Sequence, residues 1–327
     1  MRAIVIHEHG GPEVLKLEDR PIPEPGDYEL LVEVHASSVN PVDTKIRQYK
    51  TAPRVYPVTL GFDVSGVVVK CGSRVSGWKA GDEVFGCPNL FANGAHADYT
   101  LLDCRAAAPK PASVDHIAAA VLPLVSLTAY EALHERARIA AGQAVLIHAG
   151  AGGVGHIAVQ LARLHGCRVL TTASQPDSIK FCRETLKVDE VIDYKKTDVA
   201  TRVNELTEGR GLPVVFDTVG GDVFKNSLAC VAPFGQVVTI LPSEPGDQRQ
   251  LLLTRSITVH YEFMGARVAF GVQPERQGNI LRSIAKLVDS GLIAPHVSMK
   301  LPLERIAEAH QAIDTGRTVG KIAISVK

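Results

Sequence analysis

The sequence predicts an α/β chain whose centre is a doubly wound parallel sheet, with a mostly β unit at its flanks. Three observations carry this reading. Strand and helix patterns alternate from residue 144 to residue 262. A glycine turn, Gly150-x-Gly152-x-x-Gly155, sits between an apolar strand pattern and a helical one. The texture changes near Val114 and again after Gly265.

Taken in order, residues 3–7, 30–35, 66–70 and 83–85 have strand patterns, separated by turn-rich stretches such as Pro21-Ile-Pro-Glu-Pro-Gly-Asp27. Residues 117–121 and 127–135 are Ala-rich, apolar and helical in pattern. Strands then follow at 144–149, 168–173, 190–193, 214–218 and 236–240, with helices at 156–165, 178–186 and 198–208 and a sixth strand at 257–262. Such alternation implies a parallel sheet covered on both faces. Residues 275–290 and 303–315 are amphipathic helices and 321–326 a short strand. This tail lacks a core of its own, so it is expected to return and pack with the N-terminal unit.

A length of 327 residues suits about two domains. Thirty-five basic and 35 acidic residues balance to zero charge, which argues against a nucleic-acid or membrane-surface binder. The apolar run after Met1 is too short for a signal peptide, and no stretch is expected to span a membrane. The six cysteines are scattered with no CxxC pair, as for free thiols in a reducing compartment, the cytoplasm being the simplest.

The glycine turn has the strand before it and the helix after it that a dinucleotide fingerprint requires. Its backbone approaches a pyrophosphate closely, and the helix N-terminus offers unpaired N–H groups. Gly150, Gly152, Gly153, Val154 and Gly155 are the candidate residues. A carboxylate that grips the ribose 2′-hydroxyl of NAD is expected about 20 positions further on. That place holds Ser174, with Lys180 and Tyr194 within reach of the same corner, so the reading is NADPH. Asp177 is the competing carboxylate, read as a helix N-cap.

These residues, together with several motifs, resemble the zinc-independent quinone oxidoreductase branch of the medium-chain dehydrogenase/reductase superfamily. The resemblance rests on Ser38-Val-Asn-Pro-Val-Asp43, Gly61-Phe-Asp-Val-Ser-Gly66, Trp78-Lys-Ala-Gly-Asp-Glu-Val-Phe-Gly86, Pro123-Leu-Val-Ser-Leu-Thr-Ala-Tyr130, Asp217-Thr-Val-Gly-Gly221 and Gly316-Arg-Thr-Val-Gly-Lys321. It implies a GroES-like catalytic domain (1–122 and 266–327), a Rossmann domain (123–265) and an active site in the cleft. It implies that Asn40 and Asp43 line the cleft floor and that Thr128 packs on the nicotinamide. It also implies that Tyr49 and Tyr56 belong to the loop that caps the acceptor. Leu241, Arg317 and Lys321 join the cofactor residues.

The zinc members of the superfamily carry cysteine where this chain has Asn40, and Gly-His-Glu where it has Gly61-Phe62-Asp63. Their structural-zinc cysteines are missing too, so no metal site is expected; His35, His96 and His148 read as ordinary strand or loop residues. Without a Lewis acid, the suited acceptors are quinones, or α,β-unsaturated carbonyls as the alternative. An idle, crystallin-like NADPH-binding role is the remaining option. Residues 257–262 are expected to form a sheet edge on which a homodimer is built.

Overall fold

The computed structural model describes residues 1–49 and 54–327. The chain divides into two units, Met1–Leu127 with Gly265–Lys327, and Thr128–Met264.

The second unit is built on a six-stranded sheet. Its strands run in the order Glu190–Asp193, Arg168–Ala173, Ala144–Ile147, Leu212–Asp217, Val231–Thr239, Thr258–Tyr261, every neighbouring pair parallel. In chain order this is 3-2-1-4-5-6, the doubly wound Rossmann arrangement. The central strands are continuous apolar runs because both faces are covered: Val145, Leu146, Val215 and Phe216 are fully buried. Phe224 and Leu228, from the helix Asp222–Cys230, close the core on one face.

The first unit is mostly β. Glu29–Val39 is its spine. It pairs antiparallel with Val64–Cys71 on one side, and with Tyr99–Asp103 and Lys321–Ser325 on the other. The tail therefore returns as expected: Lys321–Ser325 lies against residues 36–39, and Val297–Pro302 pairs parallel beyond it. The apolar face of the helix Ile306–Asp314 packs into the same core through Ile306 and Ala309. A smaller sheet joins Lys16–Asp19, Arg2–Ile6 and Val58–Thr59.

Two details depart from the sequence reading. Residues 116–136 form a 21-residue stretch long and apolar enough to cross a membrane, but 78% of its most apolar window is buried inside the fold. It is apolar because it serves as a core helix. Asp177 does not cap its helix: Gln175 holds that place, Pro176 follows, and Asp177 lies in the first turn, where its charge favours the helix dipole.

Candidate active site

In the second unit, strand Ala144–Ile147 ends in a tight turn, and the helix Gly153–Leu164 starts three residues after Gly150. Gly152 is the N-cap. Its N–H donates to Ala149 O (2.9 Å), and its carbonyl accepts from His156 N (3.0 Å). The N–H groups of Gly153, Val154 and Gly155 therefore fall in the first helical turn, where no intrahelical carbonyl lies behind them. Close packing explains two of the glycines. A Cβ on Gly150 would lie 2.1 Å from Thr171 Oγ1, and one on Gly155 would lie 2.1 Å from Ala149 O. A Cβ on Gly152 would meet only Ala149 O, at 3.2 Å. The protein crowds Gly150 and Gly155 far more closely than Gly152, where an added Cβ would meet a single backbone atom.

A buried polar platform holds this turn, and the sequence reading missed it. Thr172 Oγ1 accepts from Ala149 N (3.0 Å) and lies 3.3 Å from His148 Nδ1, while Ser227 Oγ lies 3.0 Å from His148 Nε2. Thr218 Oγ1 donates to the His148 carbonyl (2.8 Å). Burial pushes the His148 imidazole down to about 4, so it is neutral. Asp217 accepts from the N–H groups of Val219 and Gly220 and from Thr239, fixing the neighbouring turn. That turn places half-buried Leu241 beside Gly220.

Two of the three residues proposed for the 2′-phosphate corner, Ser174 and Tyr194, leave the sheet at one level, and the third, Lys180, stands on the helix that follows. Ala173 and Asp193 are register partners, so Ser174 and Tyr194, which follow them, emerge side by side. Tyr194 is 54% exposed, and Lys180 is exposed at the end of the helix Pro176–Lys180. Asp193, which precedes Tyr194, is occupied by its own turn: it accepts from Lys195 N and pairs with Lys196 (3.5 Å).

In the first unit, Asn40 is the N-cap of the helix Pro41–Gln48. Asp43 reaches back to Asn40 N (2.7 Å) as one half of a capping box, and its other oxygen accepts from Gly61 N (2.9 Å). Burial raises the Asp43 carboxyl to about 7, against these two backbone bonds, which favour its ionised form. Gly61 is required here, since φ is +100° and a Cβ would lie 2.5 Å from the His96 ring.

Asp63, fully buried, gathers four donors. They are Ser38 Oγ (2.5 Å), Asn40 Nδ2 (2.7 Å), Lys321 Nζ (3.2 Å) and, on its second oxygen, Leu124 N (2.7 Å). Lys321 also donates to Asn40 Oδ1 (2.5 Å) and approaches Val39 O (3.5 Å). Phe62, also fully buried, offers no donor atom. Among the described residues, no three or more His, Cys, Asp or Glu side chains are grouped to hold a metal, and all six cysteines are free.

The structure thus brings Asn40 and Asp43 together with Asp63 and Lys321, two residues not read as partners of Asn40. Tyr49 caps the end of its helix and is 64% exposed. Tyr56 Oη lies 2.8 Å from His9 Nε2. Residues 50–53 of the loop between the two tyrosines lie outside the described residues. Thr128 is buried in the helix Pro123–Tyr130, and Arg317 is exposed.

The chain matches the family model of the alcohol dehydrogenase GroES-like domain over residues 26–112, and that of the zinc-binding dehydrogenases over residues 186–324. It is 35% identical to a zinc-type alcohol dehydrogenase-like protein of Staphylococcus epidermidis, over 94% of this chain and 93% of that protein. It is 32% identical to the quinone oxidoreductase of Pongo abelii, over 97% and 94%. It superposes on the Escherichia coli quinone oxidoreductase complexed with NADPH with a TM-score of 0.91 at 30% identity, covering 100% of both chains.

Proposed function

The chain belongs to the quinone oxidoreductase branch of the medium-chain dehydrogenase/reductase superfamily, and from that membership we propose that it reduces a quinone with NADPH and without zinc. The single observation that carries the cofactor is the turn at Gly152, the least crowded glycine of the motif, beside the first-turn N–H groups of Gly153, Val154 and Gly155. Ser174, Lys180 and Tyr194 hold the 2′-phosphate, and Asp193, which precedes Tyr194, is already paired with Lys196.

NADPH, when bound, supplies the hydride. The balance is NADPH + H⁺ + quinone → NADP⁺ + hydroquinone, with the proton drawn from solvent. Asn40, Asp43, Tyr49 and Tyr56, of the first unit, serve the acceptor side, and Thr128, of the second, packs on the nicotinamide. Arg317 completes the cofactor contacts.

The residues in the place of the zinc ligands do not fit that metal. Phe62 has no donor atom, no thiolate stands at Asn40, and Asp63 already accepts from four donors, one of them an ammonium. A divalent ion there would face the Lys321 charge in a buried site. The six free thiols support a reducing compartment, the cytoplasm.

The deciding experiment is stopped-flow oxidation of NADPH with a simple quinone. The expected result is turnover that survives chelation, in protein whose elemental analysis shows no stoichiometric zinc. NADPH binding without oxidation would leave only a binding role. Turnover confined to α,β-unsaturated carbonyls would make it an enone reductase.

Two further outcomes follow from this reading. Lys180→Glu places a carboxylate at the 2′-phosphate corner and is expected to weaken NADPH binding by about 1–3 kcal/mol while NADH binding barely changes. Equal KM values for the two cofactors in the native enzyme would refute the corner. Thr258–Tyr261 is the last strand of its sheet, and a second copy pairing along this edge gives a homodimer. Sedimentation equilibrium at micromolar concentration should return twice the 35.0 kDa chain mass, and a stable single-chain mass would exclude the dimer.

A further inference from the structure

Lys321 entered the sequence reading as a cofactor residue, but its side chain points into the fold. It is 3% exposed, and its hydrogen-bond donors face Asn40 Oδ1, Asp63 Oδ2 and Val39 O. Strand pairing puts it there: Ile322 is the register partner of Val39, so Lys321 lies opposite Asn40 at the end of the same ladder.

The chemistry of the two groups beside the Asn40 amide is decisive. An ammonium only donates, and a carboxylate only accepts. Lys321 therefore fixes Oδ1 on its side, and Asp63 fixes Nδ2 on the other. Reversing the amide would set an NH₂ against the ammonium and an oxygen against the carboxylate, so one orientation survives. In that orientation one Nδ2 hydrogen is bonded to Asp63 and the other is left over. Asn40 itself is 1% exposed, so this second N–H is shielded from bulk water. A donor held in place and poorly solvated is the kind of group that stabilises charge developing on a carbonyl oxygen.

We propose that Lys321, locked between Asn40 Oδ1 and Asp63 Oδ2, is a positioning residue that orients the Asn40 carboxamide so that its second N–H meets the carbonyl oxygen of the acceptor. The inference rests on the quinone-reductase reading. In that reaction the electron pair delivered with the hydride ends on the acceptor oxygen, which then takes a proton from solvent. Lys321 touches neither acceptor nor cofactor and acts through Asn40.

A double-mutant cycle on kcat for NADPH-driven quinone reduction tests it. Asn40→Ala removes the donor and should lower kcat about 100-fold. Asp63→Asn with Lys321→Met removes both buried charges together, so neither is left unpaired, and should lower kcat comparably with little change in the Kd for NADPH. Combining all three substitutions should cost no more than Asn40→Ala alone, because each breaks the same contact. Multiplicative losses, or a charge-neutral variant with native kcat, would overturn the assignment. If the charge-neutral variant does not fold, Lys321→Arg decides. It keeps Asp63 paired, but its planar fork cannot reproduce the single contact to Oδ1, so kcat should fall at unchanged NADPH affinity; native kcat would refute the role. Native enzyme that turns over no quinone would instead refute the functional reading, and this inference with it.

Discussion

Gly152→Val is expected to raise the Kd for NADPH at least about 100-fold, near 3 kcal/mol, while the protein keeps its fold. The separation of the two effects comes from the geometry of the turn. Gly152 has φ −77° and ψ 178°, an extended conformation open to any residue, and a Cβ there meets only Ala149 O at 3.2 Å. The fold has only to yield a few tenths of an ångström at Ala149 O, whereas on the proposed reading the added side chain competes with a pyrophosphate beside the first-turn N–H groups. Gly155→Ala gives the contrast. Its Cβ would lie 2.1 Å from Ala149 O and 2.8 Å from Gly150 Cα, so the helix must move off the strand and thermal stability should drop. Fluorescence titration with NADPH and a melting curve on both variants check this. Tight NADPH binding by Gly152→Val would mean that the loop does not hold the dinucleotide.

This turn was legible in the sequence because its signal is local: an apolar strand, three glycines and a helix within about 20 residues. The strand alternation was legible for the same reason, and residues 168–173 and 190–193 fall where the pattern put them. Where local signals conflict, the sequence pattern and the structure part. Strand Val231–Thr239 begins five residues before the predicted 236, because Pro233 and Gly235 read as breakers. The strand passes them with an irregular register opposite residues 212–214 and with Phe234 at φ +62°.

The buried polar groups were not legible at all. His148 meets Thr172 and Ser227 across 24 and 79 residues, and Lys321 meets Asp63 across 258. No periodicity encodes such pairs. The return of the tail was predictable from its missing core, but which residue it would deliver to Asn40 depended on the strand register.

Stability should fall as pH drops from about 7 toward 4, through buried histidines that must stay neutral. Burial pushes His96 and His148 down to about 4 and His310 well below its ordinary value. For a base whose folded pKa is depressed, the unfolded chain binds the proton first. Its contribution is complete above about 6.5 and is lost as pH falls toward the folded value. For His96 and His148 this is worth about 3 kcal/mol each. Asp43 works in the opposite sense. Its carboxyl is raised to about 7, so its contribution is complete below about 4 and is lost as pH rises through 7, offsetting about 4 kcal/mol of the histidine effect. Three histidines against one carboxyl leave a net loss of stability on acidification. His96 and His310 stand in the first unit, their rings 6.1 Å apart, and His148 in the second, so both units become acid-sensitive. Melting temperature against pH, measured on the native chain and on His148→Asn, checks the account. The native curve should descend by several degrees between pH 6.5 and 4.5 and the variant's less steeply, whereas a native curve that stays level over that range would show that these imidazoles do not govern acid stability.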